Sequence, residues 1–581
     1  MSASIQPATG LGGWRVLVIG LVGALAIGIG AAAGTFLLEG RASGASAAAA
    51  QYVPADSPFY MEWHVEPSGT QDAALRELLG RFPEIDGIDL TQPLYDQLTA
   101  KLDEELATAS QGLTWAGDVE PWFDGTISMA VTSIPDELLS GEMDPMAEPP
   151  APGFVVILGS EDAAAARAGI DRLTGEMASA VTETTHAGVS LFESADADTA
   201  WAITDDAVLV GQHAADIRAA LDTDAAGTGG VAGSEIDRLV AALPDDRLGF
   251  VVYDLTELME ASLDAAEAQD PGTAAAMRSM LEGQSFRGAI ALHAAGDRLA
   301  FDAAAPNGTG AFALVNEDRG LAAVVPADAL YYAEGANLGL ALENVVTSLK
   351  TAAAADPVTE DQIATGEAAL GAELEELVTW IGDGAMVAGW DGTTPYAGVV
   401  IEPTDRDAAQ RRLDQLVTFA GLAAMDPSAG ITIDESEVAG TTVTTIRWMD
   451  PNADVEAFGM PAGEVVIQVA LTDAHALIGV GDAFVGRALE LDTADSLASV
   501  ARFTDAVNEL GGTSSAGTVW WDVAGTREAV EAAMGPMMGM MDPDGQYEAL
   551  VQPWLLPLDR LVTVSVVEGD LVLQHGALFV E

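Results

Sequence analysis

The chain has no cysteine in 581 residues. That excludes disulfides, thiolate metal sites and a cysteine nucleophile. Lysine is nearly missing as well: with only Lys101 and Lys350, the other 21 of the 23 basic residues (23 − 2) are arginine. Schiff-base chemistry therefore has little to draw on. Basic charge is short overall, at 23 residues against 90 acidic ones and a net charge of −67. Nucleic acid is excluded as a partner, because binding it means neutralising phosphates with Lys and Arg. Named catalytic motifs are missing too. There is no Gly-rich loop ending in Lys-Ser or Lys-Thr, no G-x-G-x-x-G after a strand and no G-x-S-x-G elbow. The histidines His64, His186, His213, His293, His475 and His575 never fall at H-E-x-x-H spacing.

Apolar residues, by contrast, make up 49% of the chain, which rules out the composition of a disordered protein. The length argues for more than one domain. Residues 1–15 read as a short cytoplasmic segment. Val16 to Leu38 is an uncharged run of 23 residues, which at about 1.5 Å per residue crosses a hydrocarbon core about 30 Å thick. It reads as an uncleaved signal anchor, with a cleaved signal ending at Ala45-Ser46-Ala47 as the alternative. Arg15 and Arg41 flank it evenly, so the positive-inside rule is silent. The body is placed outside the membrane by analogy with other N-terminal anchors. Gly20, Ala24 and Gly28, and likewise Ala26, Gly30 and Gly34, recur every four residues and offer a possible dimer contact through the span. Residues 39–50 read as a Gly/Ser/Ala tether.

Beyond the tether the chain matches itself, in constant order. Val53-Pro54-Ala55-Asp56 with Tyr60 recurs as Val325-Pro326-Ala327-Asp328 with Tyr332. Thr114-Trp115-Ala116-Gly117-Asp118 recurs as Thr379-Trp380-Ile381-Gly382-Asp383, and Gly249 to Asp254 as Gly517 to Asp522. Thr204-Asp205 recurs as Thr472-Asp473, and Gly296-Asp297 as Gly569-Asp570. Such collinear matches read as a duplication, with copies at 51–320 and 321–581. Paired strand patterns separated by helical ones give an α+β class: two tandem copies, each a largely antiparallel sheet with helices on one face, after one transmembrane helix. In the first copy Leu94, Leu98, Leu102 and Leu106 stripe one helix. In the second, a stripe from Ile363 through Leu370, Leu374 and Leu377 to Ile381 predicts a helix opening at Thr359.

Removing residues 1–47 takes away Arg15, Arg41 and Glu39, leaving 21 basic and 89 acidic residues, or −68. The acids are spread, with Asp103-Glu104-Glu105 the longest like-charge run. That spread favours a surface adapted to high salt over capture of cations or a basic partner.

Four local features carry candidate chemistry. The two T-W-x-G-D segments could pair Asp118 with Asp383, but read first as helix-ending turns. Asp254 and Asp522, each at a strand end after an aromatic residue, read as helix caps. Met534, Met537, Met538, Met540 and Met541 are candidate soft ligands for Cu(I), and read first as an apolar contact patch. Asp542-Pro543-Asp544-Gly545 with Glu548 has the wrong spacing for an EF-hand and reads as a turn.

Tyr52-Val53-Pro54-Ala55-Asp56, Tyr60, Pro67-Ser68-Gly69 with Gln71, the run from Trp115 to Pro121-Trp122, and the strand Gly125 to Val131 resemble a bacterial family catalogued as domain of unknown function 3352. The likeness spans most of 48–581. The second copy departs from it: Glu334 to Gly339 replaces the Pro-Ser-Gly stretch, and Pro121-Trp122 has no matching segment. The resemblance implies a bacterial envelope protein and no known activity, so it assigns no catalytic or cofactor-binding residue. The expected function is a membrane-anchored, extracytoplasmic, non-catalytic protein that binds an envelope lipid, polymer or protein. One alternative is a metal-assisted hydrolase, which requires at least three of His64, His186, His213, His293, His475, Asp118 and Asp383 to converge. The other is a structural envelope spacer.

Overall fold

The computed structural model describes residues 47–581 apart from 55–56, 86, 110–112, 136–151, 176–180, 195–198, 228–234, 270, 319, 337, 355–356, 426–429, 450–463 and 542–544. The expected anchor at 16–38 lies outside the described residues. Among those described, no helix is long and apolar enough to cross a membrane.

The chain divides into two units. Unit 1 holds the chain to Ala261 with Phe286–Ala304, and unit 2 holds Ser262–Ser285 with Ala305–Glu581. This division differs from a single boundary at 320: residues 262–285 fold with the later part of the chain.

Unit 1 is built on β1 (Phe59–His64), β2 (Phe123–Ser133), β3 (Gly153–Ser160), β4 (Val181–His186), β5 (Val189–Ser194), β6 (Thr199–Ile203), β7 (Ala207–Gly211), β8 (Gly249–Asp254), β9 (Arg287–Ala294) and β10 (Arg298–Pro306). They pair in the order β10-β9-β8-β1-β2-β3-β7-β6-β5-β4, antiparallel throughout. Unit 2 contains β11 (Glu317–Asp318), β12 (Ala329–Gly335), β13 (Ile381–Trp390), β14 (Pro395–Pro403), β15 (Thr432–Val438), β16 (Thr441–Met449), β17 (Glu464–Leu471), β18 (Ala476–Val480), β19 (Ser514–Ser515), β20 (Gly517–Asp522), β21 (Leu558–Glu568) and β22 (Leu571–Val580). Ten of these pair in the order β22-β21-β20-β12-β13-β14-β18-β17-β16-β15, again all antiparallel. The short strands β11 and β19 pair with each other.

Helices cover both faces of each sheet, not one. In unit 2, Phe503 of the helix Ala501–Leu510 meets Tyr332 and Trp520 edge-on. Ala409 and Leu413 of the helix Arg406–Ala424 pack on Ile401 and Ala476, which point to the opposite side. In unit 1, Ala166 and Ile170 of the helix Ala163–Gly175 pack with Val156, while Ile217 of the helix Ala214–Ala226 sits over Gly211 on the other face. The physical reason is that the central strands carry apolar side chains at both parities, so each face needs cover.

Two expectations about the second unit need correction. The stripe from Ile363 to Ile381 is not one helix. The helix Pro357–Leu370 ends at Gly371, whose φ of 67° only glycine adopts freely, and Ile381 opens β13. The T-W-x-G-D repeat is also not a structural repeat. Tyr60 faces Ala130 and Tyr332 faces Val387, an offset of 257 along the second strand (387 − 130). On that register Trp380 falls one position from the place of Trp122 (380 − 257 = 123), and each of these two tryptophans directly precedes its strand. Both indoles donate back one turn, Trp122 to the Asp118 carbonyl and Trp380 to the Leu377 carbonyl, each at 2.7 Å.

The stretch read as a tether ends in structure. Ala47–Ala50 is helical, and Ala49, Ala50, Tyr52 and Val53 are buried. The Tyr52 hydroxyl bonds Thr204 at 2.8 Å and also meets Asp206, and Gln51 donates to Asp206 at 2.6 Å.

Candidate functional site

Among the described residues, a tight group of buried ionisable side chains gathers on β1, an inner strand of unit 1. Alternation sends Tyr60, Glu62 and His64 to one face. Tyr60, Glu62, His64 and Arg247 are 1, 0, 3 and 2% exposed. The Tyr60 hydroxyl donates to Glu62 Oε2 at 2.7 Å, with the Ser128 hydroxyl 3.2 Å away. Ser128 is in reach because the β1–β2 register sets it opposite Glu62. His64 Nε2 is 3.7 Å from Glu62 Oε1. Arg247 donates to the Pro244 carbonyl at 2.9 Å and stacks 4.5 Å over the Phe250 ring.

Burial, with the Arg247 charge second, pushes the His64 imidazole down to about 4. Burial, with Glu62 second, holds the Tyr60 phenol well above its ordinary value. Burial also lowers Arg247, while the Glu62 carboxylate works against that shift. At neutral pH the imidazole and the phenol are therefore both neutral, with Glu62 between them and acting electrostatically on Arg247. No solvent reaches the cluster, so it ties β1 to β2 and to the turn before β8 and offers no surface to a substrate.

Unit 2 keeps part of this cluster. Tyr332 donates to Glu334 in the same Tyr-x-Glu spacing, and Glu334 accepts the Leu321 amide at 3.3 Å. Positions matching His64 and Arg247 are Ala336 and Ser515. A second tyrosine centre lies elsewhere in unit 2: Tyr396 donates to Asp328 at 2.6 Å, and Arg487 bonds Asp328 at 2.6 Å while stacking 4.7 Å over the Tyr396 ring. Sequence reasoning missed both Arg247 and Arg487. Only the recurrence of Tyr60 and Asp328 in the repeated segments hinted at the two places.

The other histidines do not join this cluster. His186 lies 2.7 Å from Asp222, His213 3.4 Å from Asp216, and His293 3.3 Å from Asp302. His475 sits in the turn before β18, its pKa lowered by burial. Asp118 is fixed by the Thr114 amide at 2.8 Å and by Arg172 at 2.9 Å, whereas Asp383 lies within β13. The convergence required of a metal-assisted hydrolase is not there. Among the described residues, no group of three or more His, Asp or Glu could hold a metal. Asp254 accepts the Thr256 amide at 3.1 Å and Asp522 the Gly525 amide at 2.8 Å, so both cap the helices that follow. Met534, Met537, Met538, Met540 and Met541 fall on the helix Val523–Met541, but their side chains lie outside the described residues, as do Asp542, Pro543 and Asp544.

A family model described as "Protein of unknown function (DUF3352)" matches residues 18–554. No curated protein matches the chain. A solved structure titled "Structure of crystal form I of TP0453" aligns over 45% of this chain and 78% of that one, at 8% identity and a TM-score of 0.19, a likeness too weak to carry any argument.

Proposed function

The chain belongs to this family of unknown function, and from that premise we propose a membrane-anchored, extracytoplasmic, non-catalytic binding protein made of two copies of one unit. The duplication is supported by the shared strand order and by matched registers: Tyr60 lies opposite Val252 and Ala130, and Tyr332 opposite Trp520 and Val387. Paired turns support it too, since Thr204 accepts the Ala207 amide at 3.0 Å and Thr472 the His475 amide at 2.8 Å. Anchoring is supported by the uncharged run 16–38, which the family match, starting at residue 18, almost wholly includes.

One observation carries the binding role. Among the described residues that are large, apolar and exposed, only Val181 and Ile290 belong to unit 1; Leu349, Met386, Phe419, Leu422, Trp521 and Leu550 are among those in unit 2. We take this imbalance between the units as support for an interaction surface on unit 2.

The lack of cysteine supplies the test. Single Ser4→Cys and Glu183→Cys variants of the full chain are treated with a membrane-impermeant thiol reagent on intact cells. Glu183→Cys should label directly and Ser4→Cys only after lysis. Protection of Glu183→Cys in intact cells, or release of the chain by alkaline carbonate, would overturn the reading.

A further inference from the structure

We propose that unit 1 holds a divalent ion of the zinc class between Nδ1 of His213 and Oδ2 of Asp216. The place lies where β2, β3 and β7 meet the helix Ala214–Ala226. Asp216 is 6% exposed, and the Thr132 hydroxyl donates to its Oδ1 at 2.6 Å. Its Oδ2 is buried without a hydrogen bond. A carboxylate oxygen withdrawn from water is costly when nothing meets it, so Oδ2 requires a donor or a cation. His213 is the N-cap of the helix and makes no side-chain bond to it; its Nδ1 lies 3.4 Å from Oδ2.

The spacing separates a shared metal from a plain ion pair. His186 and Asp222, the same residue types in the same unit, close to 2.7 Å and hydrogen-bond. His213 and Asp216 stand off at 3.4 Å, with no hydrogen bond to Oδ2. Two ligand atoms 3.4 Å apart, each about 2.1 Å from a zinc ion, subtend about 110° at it, which is the tetrahedral angle. An imidazole nitrogen beside a carboxylate oxygen suits such an ion, whereas calcium and magnesium take oxygen ligands. Two side chains supply ligands and water supplies the rest. The His213 side chain, 62% exposed, keeps that side open to water. The net charge of −67 raises the local concentration of any cation.

The strands shape the place. The β2–β3 register slips between Val131 and Ser133, and an irregularity of this kind re-aims side chains. A methyl group on Gly153 would lie 2.5 Å from both Ser133 Oγ and Asp216 Oδ1 and 2.8 Å from Thr132 Oγ1. Two consecutive hydroxyls thus converge with the carboxylate. Thr132 orients it, and Ser133 is placed to bond a water on the metal. Unit 2 fills the same place with rings. Asp216 and Ile217 sit over Gly211 as Phe484 and Val485 sit over Gly479, so Phe484 stands where Asp216 does. Gly211 pairs with Val155 and Gly479 with Gly398, which sets Tyr396 in the place of Gly153. Tyr396 stacks on Phe484 with ring centroids 6.2 Å apart. An aromatic pair therefore satisfies the architecture, and the polar set of unit 1 is not demanded by folding.

The test titrates the full chain in maltoside micelles with zinc chloride by calorimetry. Sodium and magnesium chloride are present in large excess, so that the spread surface acids are screened and occupied. We expect one saturable site per chain, at least tenfold weaker in His213→Gln and in Asp216→Asn and unchanged in His186→Gln. Cobalt(II) in place of zinc should give visible absorption of tetrahedral intensity, lost in the same two variants. His213 is exposed, so His213→Gln should keep the zinc-free thermal midpoint and abolish only the rise that zinc brings. Asp216→Asn keeps an oxygen for Thr132; if it fails to fold, His213→Gln decides alone. Equal zinc binding in wild type and His213→Gln overturns the proposal. So does heat that vanishes in excess magnesium, which marks adventitious surface binding only. Binding lost in His186→Gln overturns it as well and moves the ion to Asp222. None of these outcomes touches the exposed apolar residues of unit 2, so the site stands or falls apart from the binding role proposed above.

Discussion

His64 titrates against the fold. Its pKa is about 4 in the folded unit against 6.5 unperturbed, so between those values the unfolded chain binds more protons. Stability is then full above about pH 6.5 and declines as pH falls toward about 4, by roughly 3 kcal/mol at 1.36 kcal/mol per unit. Urea denaturation of wild type and His64→Leu across that range should show the decline in the first and a flatter profile in the second. Glu62 is more demanding, because its loss leaves Arg247 buried without the carboxylate that favours its charge. Glu62→Ala should destabilise unit 1 by about 3–5 kcal/mol, read from the urea midpoint. The sequence disclosed the recurrence of Tyr60 and Tyr332 inside matched segments, but not the glutamates they bond. It could not disclose Arg247, which is 185 positions from Glu62 (247 − 62) and meets it only because β8 pairs with β1.

Among the elements, the hairpins β4–β5 and β15–β16 turn on the same pair of residues. Ala187 and Ala439 hold φ of 49° and 50°, followed by Gly188 and Gly440 at 87° and 80°. Two positive φ angles in a two-residue loop match the sheet's twist, but they strain an alanine by about 1 kcal/mol. Ala439→Asn should raise the thermal midpoint, with a gain of up to about 1 kcal/mol, and Ala439→Val should lower it. Elements were legible where hydrophobic period and punctuation agreed. The leucines of the helix Leu94–Ala109 and the turn at Gly569-Asp570 are such places. Where they disagreed, pattern misled. The helical stripe ran on through Gly371 because Leu374, Leu377 and Ile381 keep helical spacing in a segment that has already left the helix. The T-W-x-G-D match paired Trp380 with Trp115, seven positions before the tryptophan whose role it repeats, Trp122 (122 − 115).

At the scale of the whole molecule, 90 acidic residues against 23 basic ones act through self-repulsion. Even in unit 2, many arginines are already paired, as Arg447 is with Asp482 and Arg412 with Glu376. The thermal midpoint should therefore climb between about 0.1 M and about 1 M NaCl, as the screening length falls from about 10 Å to about 3 Å. A midpoint unchanged across that series would remove the case for a surface suited to high salt. Composition alone carries this expectation. It could not announce the exposure of Met386 and Trp521, because both look like ordinary inward residues of alternating strands.

Residues 262–285 have a further consequence. They precede Phe286–Ala304 of unit 1 in the chain yet fold with unit 2, and the helix Pro271–Leu281 packs on the helix Leu338–Ala353. No single cut can therefore divide the protein into two whole parts. A fragment ending at residue 320 would keep the first of these helices without its neighbour, and one beginning at 321 would turn the neighbour toward water. Neither unit, though the two read as successive, can therefore be expressed whole from one uninterrupted segment of the chain.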